Sequence, residues 1–264
     1  MSRRRRAQLI RWALYAATLV VVALLAAPWP GVVDWGRVQN AMFDPGLIRD
    51  QFPNILTQAA RNTLIFTVLG FSGGLAIGLL MALMRLSTIR PYRWFATSFI
   101  EIFRGLPALL TILIIGFGVP IALDARVPTT YGPGALALAI VSGAYIAETL
   151  RAGIEAVPKG QMEAAQSLGM SYSRAMASIV LPQAFRIIIP PLTNELVLLL
   201  KDTSLLSVLG VTAATRELTR FGRDSTIANA NATPLIVAGI VYLIITIPLT
   251  RVAGLLERRG RRAR

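Results

Sequence analysis

The sequence predicts an all-α integral membrane protein with six transmembrane helices. Composition points there first: of 264 residues 55% are hydrophobic and 15% charged, with a mean hydropathy of +0.61. That is more apolar surface than a soluble core would bury. The length of the apolar stretches comes second, since six of them approach the ~20 residues a helix needs to cross ~30 Å of hydrocarbon. The third is the placement of charge. The net charge of +14 comes mostly from Arg at the ends of apolar runs, a mark of membrane orientation rather than of nucleic-acid binding.

The first run, residues 9 to 27, follows Arg3, Arg4, Arg5 and Arg6. Leu25-Ala26-Ala27 before Pro28 lacks a small-x-small cleavage site, so the run reads as a retained helix and not a signal peptide. The second, 57 to 84, spaces Gly70, Gly74 and Gly78 four apart, with Gly73 beside them, on a face that lets another helix come close. Pro107 and Pro120 lie in the third run, 96 to 122, and Pro190 and Pro191 in the fifth, 187 to 209. Each proline removes a backbone hydrogen bond, so both helices are expected to break or bend. The fourth run, 134 to 150, is the shortest, and the sixth covers 232 to 253.

Between the fourth and fifth runs lies a polar loop, near 151 to 186. Pro158 suits a helix start, and apolar Met162, Ala165, Leu168 and Gly169 then interleave with Gln161, Glu163, Gln166 and Ser167. The pattern predicts an amphipathic helix outside the bilayer, one of a pair. By periodicity alone, resting on the membrane and docking to a partner are both open.

Alternating the connections puts eighteen Lys and Arg on the side of the termini and this loop. The other side has seven, against six acids that include Asp34, Asp44, Asp124 and Glu217. The more basic side is expected to be cytoplasmic.

Ionisable residues at membrane depth each cost at least ~2.5 kcal/mol on insertion scales, so each needs a partner or a wet cavity. Here they are Glu101, Arg104, Glu148, Glu195, Lys201 and Asp202. Three apart, Glu101 and Arg104 share a helical face and are expected to form a local ion pair. Glu195 falls near the midplane of its helix and is the leading candidate to line a pathway, the alternative being an ion pair inside the bundle. Asp202 shares its face seven residues on, while Lys201 projects ~100° away. Lys201 and Asp202 either line the pathway or tie the helix to its neighbours.

Nothing in the chain supplies a chemical engine. The absence of Cys and His removes thiolate nucleophiles, the usual metal ligands and the commonest general base. No G-x-x-x-x-G-K-[ST] loop and no G-x-G-x-x-G after a strand pattern occur. If work is done on this chain, another chain drives it.

Glu163-Ala164-Ala165, then Gly169, then Ile179-x-Leu181-Pro182 resembles the EAA loop of ABC importer permeases at each defining position. Around it, Gly143-Ala-Tyr-Ile-Ala-Glu148-Thr-Leu-Arg151, Pro190-Pro191-x-x-Asn194-Glu195 and Lys201-Asp202-Thr203-Ser204-Leu205 resemble the polar amino acid uptake subfamily. Asn62-Thr63-Leu64 and Phe103-Arg104-Gly105-x-Pro107 fit the same pattern. The likeness covers 57 to about 258. It implies a five-helix type I importer core at 57–258, preceded by an extra N-terminal helix and outer loop at 1–56 and followed by a basic tail at 259–264.

The resemblance also implies a setting. The chain would be multi-pass in the bacterial cytoplasmic membrane with both termini in the cytoplasm. Its partners would be ABC ATPase subunits holding ATP-Mg, an extracytoplasmic solute-binding protein that sets selectivity, and a second copy or sister permease. The chain itself would be no enzyme and bind no cofactor, metal or nucleic acid. Glu163, Ala164, Ala165, Gly169, Ile179, Leu181 and Pro182 would couple to the ATPase, and Arg104, Asn194, Glu195, Lys201 and Asp202 are the candidate substrate pathway. One departure stands out: the family's usual Arg-Gly-Thr-Pro reads Arg104-Gly105-Leu106-Pro107, which weakens substrate carry-over there. Two other readings compete: a gradient-driven carrier or channel using Glu195 and Asp202 as an ion relay, and a membrane scaffold without transport.

Overall fold

In a computed structural model, the backbone is described for residues 3–26, 34–122, 131–209 and 212–262. The cleavage-site reading at Ala27-Pro28 and the loop charges Asp124 and Arg126 lie outside these residues. Among the described residues there is no strand. The helices are α1 (Arg3–Ala26), α2 (Trp35–Met42), α3 (Pro45–Gln51), α4 (Ile55–Leu86), α5 (Arg90–Gly105) and α6 (Ala108–Ala122). Then come α7 (Gly132–Glu155), α8 (Lys159–Ser167), α9 (Tyr172–Val208), α10 (Leu218–Asn229) and α11 (Thr233–Arg262).

Four helices, α4, α7, α9 and α11, are individually long and apolar enough to span a membrane, and the bent pair α5 and α6 counts as a fifth. The apolar stretch of α1, Ile10–Leu24, is shorter. The sequence-predicted third span, 96 to 122, is therefore corrected: it begins at Arg90 and turns by 109° between Gly105 and Ala108. Leu106 is extended at φ −82°, ψ 143°, because the ring of Pro107 excludes helical backbone from the residue before it. Pro190 and Pro191 behave otherwise. The expectation of a break there is overturned, since α9 runs unbroken through both. Pro190 is buried and the helix packs on α7 and α11, so tertiary contact holds the helical path.

The core is organised around α4 against α7. Added Cβ atoms at Gly70, Gly74 and Gly78 would fall 2.9, 2.0 and 2.7 Å from Leu138, Ser142 and Ile146 of α7. These glycines thus set the close approach that the spacing predicts, and Ser142 uses it to donate to the Gly70 carbonyl at 3.3 Å. Phe66, Ile112, Leu138, Leu199 and Leu206 fill the centre of the bundle.

At the end that carries α10, capping residues fix the short elements. Asp34 caps α2, accepting from the Arg37 amide, and Asp44 caps α3, whose first residue is Pro45. This elbow is pinned to the start of α11. The Ala232 amide donates to the Ala41 carbonyl at 2.8 Å, and the Asp44 amide to Thr233 Oγ1 at 3.0 Å. Asn62 clamps the segment before α10: its Nδ2 donates to the carbonyls of Ala214 and Arg216 at 2.8 and 2.9 Å, and its Oδ1 accepts from Tyr131.

Candidate functional site

At the opposite end, α7 leads through Pro158 into α8, and the chain reverses into α9. The reversal is a Schellman turn. Gly169 adopts φ +84°, its amide donates to the Gln166 carbonyl at 2.9 Å, and the Met170 amide reaches back to Ala165 at 3.1 Å. Space is not what demands glycine, because an added Cβ would meet nothing within 4 Å. Positive φ demands it.

The predicted pair of surface helices is corrected on one side. The second member is not a separate helix, since Arg174, Ile179, Leu181 and Pro182 lie on the first turns of α9 itself. Five residues, Met176–Val180, wind as π-helix before the α-helix resumes at Leu181. Pro182 then sits in a first turn, where its missing N–H costs little.

The hairpin has an inner and an outer face. Ala165, Val180 and Ala184 are buried, and Val157, Met162, Met176 and Val180 pack with Ile146, Leu150 and Ile188 of the bundle. Gln183 Nε2 donates to Gln161 Oε1 at 3.2 Å, tying α9 to α8. Glu163 and Ala164 are exposed, while Ile179 and Leu181 are half-buried. Leu168 also faces outward, 85% exposed, so it does not share the bundle-facing side with Met162 and Ala165. It is the last residue before Gly169, so the turn has already rotated it off the helical register. Sequence periodicity missed it; an apolar residue directly before a turn glycine is the signal that marks it.

Around the end of α5 lies a cluster of charge. Glu148 on α7 accepts from Arg85 of α4 at 2.7 Å and, through both oxygens, from Arg151 at 2.5 and 3.2 Å. Arg151 also pairs with Glu155. Arg104 reaches Glu148 at 3.9 Å and lies 5.7 Å from the Tyr145 ring centre. No ion pair joins Arg104 to Glu101 among the described residues, so the expected local pair is corrected to a contact between helices. The i,i+3 pair Glu148 and Arg151 is readable in sequence, whereas the convergence of Arg85 and Arg104 on one carboxylate requires the fold.

These residues border a cavity of about 330 Å³ lined by Arg104, Tyr145, Glu148, Ile187, Pro191 and Glu195, among others. Arg104 and Glu195 thus come together. The other pathway candidates do not join them. Lys201 lines two cavities on the α11 side, of about 630 and 310 Å³, shared with Thr246 and Leu243. Asn194 is exposed and Asp202 half-buried, and neither lines a described cavity. No cluster of acids able to hold a metal occurs among the described residues.

Fold and site together define the membrane-spanning subunit of a transporter moved by another chain. The profile of the family described as "Binding-protein-dependent transport system inner membrane component" matches residues 74–262, and the chain belongs to that family. It is 38% identical over 201 residues to the probable glutamine ABC transporter permease protein GlnM of Bacillus subtilis (strain 168), covering 75% of this chain and 89% of the relative. To the arginine transport system permease protein ArtQ of the same organism it is 37% identical, covering 79% and 93%. The glutamine transport system permease protein GlnP of Escherichia coli (strain K12) matches at 37%, covering 82% and 97%.

Among solved structures, an amino acid ABC transporter crystallised with histidines superposes with a TM-score of 0.75 at 36% identity, over 83% of this chain and 99% of that one. A bacterial alginate importer shares the fold alone, with a TM-score of 0.63 at 16% identity, over 99% of both chains. The chain is therefore a multi-pass permease subunit of an ABC importer with the type I fold, in which ATP hydrolysis falls to a separate subunit.

Proposed function

We propose that this permease imports a polar amino acid by alternating access, driven by ATPase subunits that bind the hairpin of α8, Gly169 and the foot of α9. The hairpin is the observation that carries the reading. It presents Glu163, Ala164 and Leu168 outward on α8 and its turn, which backbone geometry at Gly169 joins to α9, a helix continuous with the bundle. ATP-Mg belongs to those subunits. Their closure around nucleotide supplies the differential energy that biases the bundle between two states.

The cargo assignment rests on the relatives, whose names specify glutamine, arginine and cystine, and on the cavity beside α5. One wall offers the guanidinium of Arg104 and another the carboxyl of Glu195, which suit the α-carboxylate and α-ammonium of an amino acid. Residues 57–258 form the transport unit, paired with a second copy or a sister permease. A solute-binding protein delivers cargo at the α10 end. The count of eighteen basic residues against seven supports a cytoplasmic position for the termini and the hairpin.

Purification from native membranes is expected to bring an ATPase subunit with the chain. Uptake by reconstituted vesicles is expected to require ATP and to persist when ion gradients are collapsed. Uptake driven by a gradient without the ATPase would sink the reading in favour of the Glu195 and Asp202 relay.

A further inference from the structure

One fully buried group lies outside the hairpin and the cavity: the carboxyl of Glu217, in the stretch that joins α9 to α10. Its Oε1 accepts the Arg220 amide and its Oε2 the Thr219 amide, both at 2.6 Å, so it caps α10. Across from it stands Tyr242 of α11. The phenolic oxygen lies 3.0 Å from Glu217 Oε2, 3.2 Å from Thr203 Oγ1 and 3.4 Å from Thr219 Oγ1. The Thr203 hydroxyl also contacts the Leu200 carbonyl at 2.7 Å, where it alone carries a proton to give.

Each hydroxyl has one proton, which makes the cluster countable. With Glu217 ionised, Tyr242 gives its proton to Oε2, Thr203 gives its own to Leu200, and the contact between Tyr242 and Thr203 holds no proton. With Glu217 protonated, Oε2 donates to Tyr242, Tyr242 donates to Thr203 and Thr203 donates to Leu200. Every oxygen pair along that line is then filled. The line runs from the cap of α10, through α11, to the last α-helical turn of α9.

We infer that Glu217 is a proton-dependent positioning residue, whose carboxyl proton decides whether Tyr242 ties α10 to the end of α9 or bonds to the α10 cap alone. Burial pushes the carboxyl up to about 7, outweighing the two amide bonds and the hydroxyls that oppose it. Neighbouring charges do not take over its role. On its own segment, Arg216 and Arg220 turn to Asp224 at 3.1 and 2.9 Å, and Arg220 also donates to the Ser207 carbonyl.

From α11 the group faced is Tyr242. From α9, Lys201 lines the adjoining cavity of about 310 Å³ with Thr219 and Tyr242, and Asp202 precedes Thr203. At that end of α4, Asn62 and Thr63 are uncharged and Arg61 is exposed. The foot of α9 belongs to the hairpin and its head to this cluster, so the proton sets a restraint on the far end of the coupled helix. The inference does not depend on which cargo is carried.

The absence of Cys makes a clean test possible. Val208→Cys and Ile227→Cys place spin labels at the head of α9 and on α10 in the full-length chain in lipid nanodiscs. The distance distribution is expected to be narrow at about pH 6 and to broaden by about pH 8. Glu217→Gln, whose amide donates to Tyr242 but gives up the bond from the Thr219 amide, carries no titrating proton and is expected to show the same width at both. Tyr242→Phe is expected to be broad at both, and it decides the matter alone if the glutamine variant does not fold. An infrared band of a protonated carboxyl should disappear between the same two pH values and be missing in Glu217→Gln. A Tyr242→Phe distribution that follows the wild-type pH response, or a band titrating in the ordinary carboxylate range near ~4, overturns the inference.

Discussion

At Gly169 the chain needs a backbone conformation rather than room, and that distinction orders the substitutions. Asn tolerates positive φ better than a β-branched residue, so Gly169→Asn is expected to keep more ATP-driven uptake than Gly169→Val, with both inserted in the membrane at wild-type levels. Equal activity in the two would remove the backbone argument. Glu148→Gln leaves Arg85 and Arg104 without the carboxylate they share, and Arg151 with Glu155 alone. About 1–3 kcal/mol of stability should go with it, seen as a lower Tm in nanodiscs.

Glu217 gives a pH dependence of definite sign. Its folded-state carboxyl titrates at about 7, above the ordinary range near ~4, so the folded chain holds a proton that the unfolded chain has released. Its contribution is full below the ordinary range and is lost as pH rises through about 7. Tm should therefore fall from about pH 6 to about pH 8, and Glu217→Gln should flatten that slope.

Among elements, the hairpin separates what a sequence can say from what it cannot. Gly169 and the start at Pro158 are legible because they reflect local backbone preference, and the glycine face of α4 is legible because i,i+4 spacing is intrinsic to a helix. The merging of the second surface helix into α9 is not. Pro182, Pro190 and Pro191 look like interruptions along the chain, yet packing against α7 and α11 holds the helix through the last two. Glu101 and Arg104 show the converse: spacing permits a pair on one helix, but Arg104 approaches Glu148 on another. Beside the turn Leu168 and Tyr172 present large apolar side chains outward, and Leu168 is the more exposed of the two. Leu168→Asp is expected to leave the bundle folded while the ATPase no longer co-purifies; retained co-purification would place the docking contact elsewhere.

For the whole molecule, the described ends should lie on opposite sides of the membrane. Leu168→Cys and Ile227→Cys, 85% and 69% exposed at the hairpin and on α10, report this directly. In intact cells a membrane-impermeant maleimide is expected to label Ile227→Cys and to spare Leu168→Cys until the membrane is opened. The reverse pattern would invert the orientation drawn from charge. Composition alone makes such a chain a membrane protein, and its apolar runs locate α4, α7 and α11 to within several residues, whereas α9 starts at Tyr172, well before the run placed at 187 to 209. Pro107 announces a break between α5 and α6, but its 109° angle and the sharing of Glu148 among three helices emerge only when distant segments meet.

The continuity of α9 has a mechanical result. Its 37 residues amount to about 55 Å at 1.5 Å per residue, well beyond the ~30 Å hydrocarbon core. A rod of that length works as a lever: tilting it by about 10° at its foot sweeps its head through about 10 Å. A partner that shifts Gly169 by a modest amount would thus be felt, along one continuous helix, where Thr203 meets Tyr242.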